Sequence, residues 1–304
     1  MSLYTDLASE ARELNPEIDG VTEERESRGE IEITRTVIIT PDAARKLNKR
    51  MGRYVTLDAP GLIYRPLDLF KRMAEVIAEE LGPLLKEFRE GSIVVVGLGN
   101  RAVTPDSLGP RTAERIFVTR HVKELLPEAF SFPVPSVAQI SPGVLGSTGV
   151  ETLELIRGVK ERVKPDLIIA VDSLASRRAA RISTTVQITD SGIDPGSGVG
   201  NIRAGLNEET VGVPVIAIGV PLVVYASTIT QDTISMIAEE NSLSCDEETL
   251  KSLAEKVVSE RMDGMIMTPK DIDAIIEDMS SVVSEGINRA VFGEHYEKVR
   301  MLIA

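Results

Sequence analysis

Tryptophan is absent from this 304-residue chain, cysteine occurs once and histidine twice. The single cysteine, Cys245, excludes an intrachain disulfide framework and suits a reducing compartment. One cysteine and two histidines, His121 and His295, far apart in sequence, leave little from which to build a zinc site. No apolar stretch approaches the roughly 18 residues of a membrane span. The start, Met1 to Asp6, lacks a basic stretch followed by an apolar run, so no secretory signal is expected. Nor does Gly-x-Ser-x-Gly occur around a strand end, which disfavours a Ser-His-Asp hydrolase. Positive charge is also short. Lys and Arg number 34 against 47 Asp and Glu, a net charge of −13. That balance disfavours direct binding to a nucleic-acid backbone and is compatible with a basic or neutral partner.

What is present reads as an α/β chain. Short apolar runs alternate with helical periodicity. Strands are expected over 30–39, 54–57, 93–96, 136–140, 167–171, 184–188 and 213–218. Helices are expected over 41–47, 67–88 with a kink at Gly82-Pro83, 109–126, 149–163, 222–239, 246–261 and 270–290. Thr40 is placed to cap the 41–47 helix, with Pro41 in its first turn. Alternation of this kind implies a mostly parallel, doubly wound sheet flanked by helices. Residues 7–66 read as a small β-containing N-terminal appendage or flap, and 67–304 as the α/β domain, within a single compact domain overall. The Gly-rich stretch 191–201 reads as a long loop of the kind that is often functional.

Two aspartates fall where such a sheet places its chemistry. Asp172 closes the run Leu167-Ile168-Ile169-Ala170-Val171. Asp106 lies in the loop after the strand ending Val96-Gly97-Leu98-Gly99-Asn100. Ligands of open α/β sheets bind outside the carboxyl ends of the strands, and two carboxylates meeting there would share one proton and work on water. Either residue also has a plain alternative as a helix cap. Gly97-x-Gly99-x-x-Ala102 matches the dinucleotide fingerprint only weakly, because Pro105 and Pro110 put the helix start too far downstream. Asp190-Ser191-Gly192 reads as a turn. Cys245 and His121 read as structural.

The longest strings resemble one family, the germination (spore) proteases. They are Gly52-Arg53-Tyr54-Val55-Thr56-Leu57, Gly97 through Pro110, Pro142-Gly143-Val144, Ala170-Val171-Asp172-Ser173-Leu174-Ala175, 190–201 and Met267-Thr268-Pro269-Lys270-Asp271. The resemblance implies an atypical aspartic endopeptidase with Asp106 and Asp172 as its acids. It is similar in fold to the hydrogenase maturation endopeptidases, and no cofactor or metal is carried over. It further implies cleavage of small acid-soluble spore proteins in the cytoplasm of the spore core, a homotetramer, and a zymogen that processes itself. Tyr4-Thr5-Asp6-Leu7-Ala8-Ser9-Glu10 is similar to the substrate motif, so residues 1–6 would be the propeptide and Asp6–Leu7 the bond cut. On this reading Gly97, Gly99 and Asn100 line the cleft or stabilise an oxyanion. Arg101, Arg177, Arg178 and Arg203 are candidate cations for the acidic residue before the bond. The alternatives are a metal-assisted maturation-type peptidase and a non-catalytic binding protein on the same scaffold.

Overall fold

The computed structural model describes residues 5–194, 205–230, 233 and 265–303. Cys245, Arg203, most of the Gly-rich loop and the helix expected over 246–261 lie outside the described residues. Among the described residues, nine strands form one sheet. They are β1 (Val21–Arg28), β2 (Ile31–Ile38), β3 (Gly52–Asp58), β4 (Ser92–Gly97), β5 (Ser136–Ile140), β6 (Leu167–Ser176), β7 (Thr185–Thr189), β8 (Val215–Tyr225) and β9 (Ile266–Met267). The order is β1-β2-β3-β7-β8-β6-β4-β5, with β9 added beside β8. Helices cover both sides, as the alternating pattern implied: α1 (Ala8–Glu13), α2 (Pro41–Leu47), α3 (Leu67–Leu81), α4 (Leu108–Ala113), α5 (Arg120–Leu125), α6 (Leu145–Thr148), α7 (Thr152–Val163), α8 (Glu208–Val211), α9 (Ile272–Phe292) and α10 (Tyr296–Ile303).

The fold is α/β, and its parallel part is the block β8-β6-β4-β5. The remaining pairings are antiparallel. The N-terminal strands therefore extend the main sheet instead of forming a separate flap. β1 escapes a hydrophobicity reading because Val21-Thr22-Glu23-Glu24-Arg25-Glu26-Ser27-Arg28 is largely exposed at the sheet edge; charged residues there discourage edge-to-edge pairing. The 109–126 helix is broken into α4 and α5. Strand β8 runs on to Tyr225, into the segment expected to be helical, because its apolar tail Leu222-Val223-Val224-Tyr225 pairs with the end of β6 and with β9. Thr40 caps α2 as expected, its Oγ1 accepting from the Ala43 N–H at 3.2 Å.

Burial sorts the sheet into two faces. Odd-numbered β6 residues Leu167, Ile169 and Val171 join Val186, Ile188, Ile216, Ile218 and Val220 in a core beneath α3 and α9. Even-numbered Ile168 and Ala170 face α7 and α8 on the other side. On that same second face, Ala8 and Ala11 of α1 pack with Ile38, Ala43, Leu47 and Tyr54. The chain leaves β4 towards β5 on one side and β6 towards β8 on the other. The crevice between the ends of β4 and β6 is thus a topological switch point, the usual place for a site in such a sheet. Among the described residues no helix is long and apolar enough to cross a membrane.

Candidate active site

The loop after β4 is fixed by close backbone packing. A Cβ on Gly109 would lie 2.2 Å from the Leu98 carbonyl oxygen and 2.4 Å from that of Val171, and one on Gly97 would lie 2.2 Å from the Gly109 oxygen. Only glycine allows α4 to start this close to the strand ends. The Leu98 N–H donates to the Val171 carbonyl at 2.8 Å, tying the loop to β6 just before Asp172. Gly99, at φ +109°, turns the chain so that the Asn100 N–H donates to Asp106 Oδ2 at 2.7 Å. Asp106 ends a single 3₁₀ turn, Thr104–Asp106, which packs against β6 and α9.

Asp172 is buried, 5 % exposed, and its Oδ1 accepts from the Ser173 N–H at 2.8 Å. Neither aspartate caps a helix. No helix starts at Ser173, since β6 continues to Ser176. Ser107, not Asp106, is the residue before α4, and the Asp106 carboxylate is turned back to Asn100. The cap reading is thereby removed for both residues: Asp106 lies in the loop after β4, and Asp172 lies within β6, one residue past Val171, which pairs with Gly97 at the end of β4.

The N-terminal segment lies against the same end of β6. The Asp6 N–H donates to the Ala175 carbonyl at 2.9 Å, and Asp6 Oδ2 accepts from the Ala175 N–H at 2.7 Å. Lys49 Nζ donates to the Thr5 carbonyl at 2.8 Å. Gln187 holds both sides of Leu7: Nε2 donates to the Asp6 carbonyl at 3.2 Å and Oε1 accepts from the Ala8 N–H at 2.7 Å. Leu7 itself is fully buried. Beyond it, the Glu10 carboxylate accepts from the N–H groups of Arg177 at 2.7 Å and Arg178 at 2.9 Å, and from the Thr5 hydroxyl. Arg181 joins Asp58, Glu13 and Glu10 in one partly buried ion network that fastens α1 to the sheet.

The other expected residues scatter. Arg101 pairs with Glu114 and is exposed. Arg178 pairs with Glu13 at 3.1 Å. Arg177 touches the segment through its main-chain N–H. The Leu98 N–H is engaged by Val171 of β6 and the Asn100 N–H by Asp106, and Asn100 Oδ1 accepts from the Ala102 N–H at 3.0 Å. Asp190 and Ser191 shape a loop, accepting from the Arg53 N–H and donating to the Tyr54 hydroxyl. Two residues next to the segment went unnoticed in the sequence. Lys49 sits in a polar run with no local signal. Gln187 did leave one, as a polar residue in the middle of the buried strand Thr185-Val186-Gln187-Ile188-Thr189.

Burial pushes the Lys49 ammonium below its ordinary range, against the upward pull of Asp6, Asp194 and Glu10. The Tyr225 phenol is pushed up to about 12, first by burial and then by the charge of Asp6. Among the described residues no three His, Cys, Asp or Glu side chains gather as a metal-ligand set.

Fold and site together define an α/β protein with a carboxylate-bearing crevice and a groove beside it that holds extended polypeptide. The family model of the germination protease matches residues 2–248. The germination protease of Caldanaerobacter subterraneus subsp. tengcongensis is 46% identical over 306 residues, covering 96% of this chain and 94% of that protein. Those of Clostridium tetani and Bacillus subtilis are 41% and 37% identical, over 96% and 98% of this chain and 96% and 94% of theirs. The chain belongs to the germination protease family, and is a peptidase.

Proposed function

We propose that this peptidase initiates degradation of small acid-soluble spore proteins in the spore core, cutting after an acidic residue with Asp106 and Asp172, and that it is made as a zymogen that removes residues 1–6. The observation carrying this reading is the docking of Thr5 to Leu7 along β6 just past Asp172. An extended segment whose main chain is hydrogen-bonded to a strand end is how a peptide substrate is presented.

One aspartate, ionised, takes a proton from water as the oxygen attacks the carbonyl carbon of the acidic residue. The other, protonated, gives its proton to the departing amine. The pair holds one proton between them and titrates as a unit. Lys49, beside Thr5 and within the field of Asp6, supplies positive charge for the acidic side chain. The subunits assemble as a homotetramer; Met301 and Leu302, exposed on α10, offer apolar surface for that contact.

The test is mass spectrometry of the full-length chain and of an added peptide, Thr-Glu-Ile-Ala-Ser-Glu-Phe. Loss of residues 1–6 and a single cut after the peptide's first Glu are expected. Asp106→Asn and Asp172→Asn should each abolish both while the fold survives; full activity in either variant would refute the aspartate pair. Light scattering of the same sample checks the tetramer.

A further inference from the structure

We infer that Gln187 is a catalytic residue of this peptidase: its side-chain amide binds the oxygen of the carbonyl under attack. The inference rests on the reading of Asp6–Leu7 as the bond cut.

Gln187 occupies the centre of β7, 6 % exposed, where an apolar residue would pack more cheaply. Both ends of its amide are spent on the N-terminal segment, and on the two sides of one bond. Nε2 reaches the Asp6 carbonyl oxygen at 3.2 Å, and Oε1 takes the Ala8 N–H at 2.7 Å. Only one orientation of the amide satisfies both contacts, a donor towards the carbonyl and an acceptor towards the N–H.

Sheet register aligns this group with Asp172. Gln187 lies opposite Gly219 of β8, and Gly219 lies opposite Asp172 of β6. Val186, Ile188 and Val171 all face the α3–α9 core, so Gln187 and Asp172 both point to the other face. Two strand spacings separate their Cα atoms, roughly 10 Å. A peptide carbonyl held from one side by Gln187 can therefore be approached by water from the side of Asp172. In the turn after β4, another source of donors, the Leu98 N–H is committed to the Val171 carbonyl of β6 and the Asn100 N–H to the Asp106 carboxylate.

The step balances as follows. Water adds to the Asp6 carbonyl carbon and loses a proton to the ionised aspartate, and the C=O electron pair moves onto oxygen. The Gln187 Nε2–H stabilises that oxyanion. The pair then returns, the C–N bond breaks, and the Leu7 nitrogen takes the proton of the second aspartate, leaving a carboxyl on Asp6 and an amine on Leu7. An oxyanion donor of this kind is worth about 10²–10³ in kcat.

The experiment follows the loss of residues 1–6 from the full-length chain, and cleavage of Thr-Asp-Leu-Ala-Ser-Glu-Ala in trans, for wild type, Gln187→Leu and Gln187→Glu, each checked by thermal melt. Expected are a kcat fall of about 10²–10³ in both variants at neutral pH with KM changed only about threefold. Activity of Gln187→Glu alone should return as pH falls and its carboxyl, once protonated, becomes a donor. Wild-type enzyme should also slow on a peptide with an ester in place of the amide matching Ala8 N–H, a reading that needs no variant to fold. Wild type that cuts while Gln187→Leu cuts at a similar rate, a loss confined to KM, or no pH recovery in Gln187→Glu would overturn the assignment and leave the protease reading standing. Wild type that never cuts would overturn both.

Discussion

Lys49 and Asp58 carry the clearest consequences of single side chains. If Lys49 reads the acidic residue ahead of the bond, Lys49→Met should lower kcat/KM for Glu and Asp peptides by about tenfold or more, a tenfold loss being about 1.4 kcal/mol, and should spare a Gln peptide. A parallel panel of the three peptides checks it; equal losses on all three would make Lys49 structural. At Asp58, burial raises the carboxyl above its ordinary value of 3.8, and Arg181 only partly offsets this. A raised folded-state value means a stability contribution that is full below pH 3.8 and lost as pH rises through the raised value. The melting temperature of wild type minus that of Asp58→Asn should therefore fall as pH climbs through the carboxylate range. Asp106 and Asp172 drew notice in the sequence because one follows an apolar strand and the other closes an apolar run, although the strand itself continues past Asp172 to Ser176. Gln187 was not singled out, although a glutamine within a buried strand is a visible anomaly; its meaning depends on Asp6, which meets it only in three dimensions.

Elements position these residues through close contacts. Gly109→Ala would drive a methyl into the carbonyl oxygens of Leu98 and Val171. Because both neighbours are backbone, α4 must move, at a cost of about 1–3 kcal/mol or more. Urea melts should show that loss, and cleavage should fall further than stability, since the Asp106 turn moves with α4. Among the ties of helix α1 to the sheet is Arg181, through Asp58, Glu13 and Glu10. Arg181→Met would strip Asp58 of its cation, while Glu13 keeps Arg178 and Glu10 its N–H donors, costing about 3 kcal/mol, and limited proteolysis should then attack first near residues 5–13. Helices α2, α3, α7 and α9 were legible from caps and periodicity. The end of β8 was not, because Leu222-Val223-Val224-Tyr225 is a short apolar run without a period of its own, and its pairing with β6 and β9 decided the matter.

For the whole molecule, the α/β class and the parallel block followed from alternating strands and helices, whereas the antiparallel half did not. Strand direction is fixed by which neighbour a strand meets, and β3 meets β7 far along the chain. Slowest hydrogen exchange is expected in β8, β6 and β4, buried on both faces, and fastest in the exposed edge β1; exchange mass spectrometry reads this directly.

The β3–β7 pairing, Tyr54 opposite Thr189, has a further meaning during synthesis. As the chain emerges from the ribosome, its first three strands wait for a partner not yet made. The groove for Asp6 likewise does not exist until Ala175 and Gln187 have been translated. Vectorial synthesis thus delays assembly of this groove: no nascent chain can seat a peptide there before most of its sheet has left the tunnel.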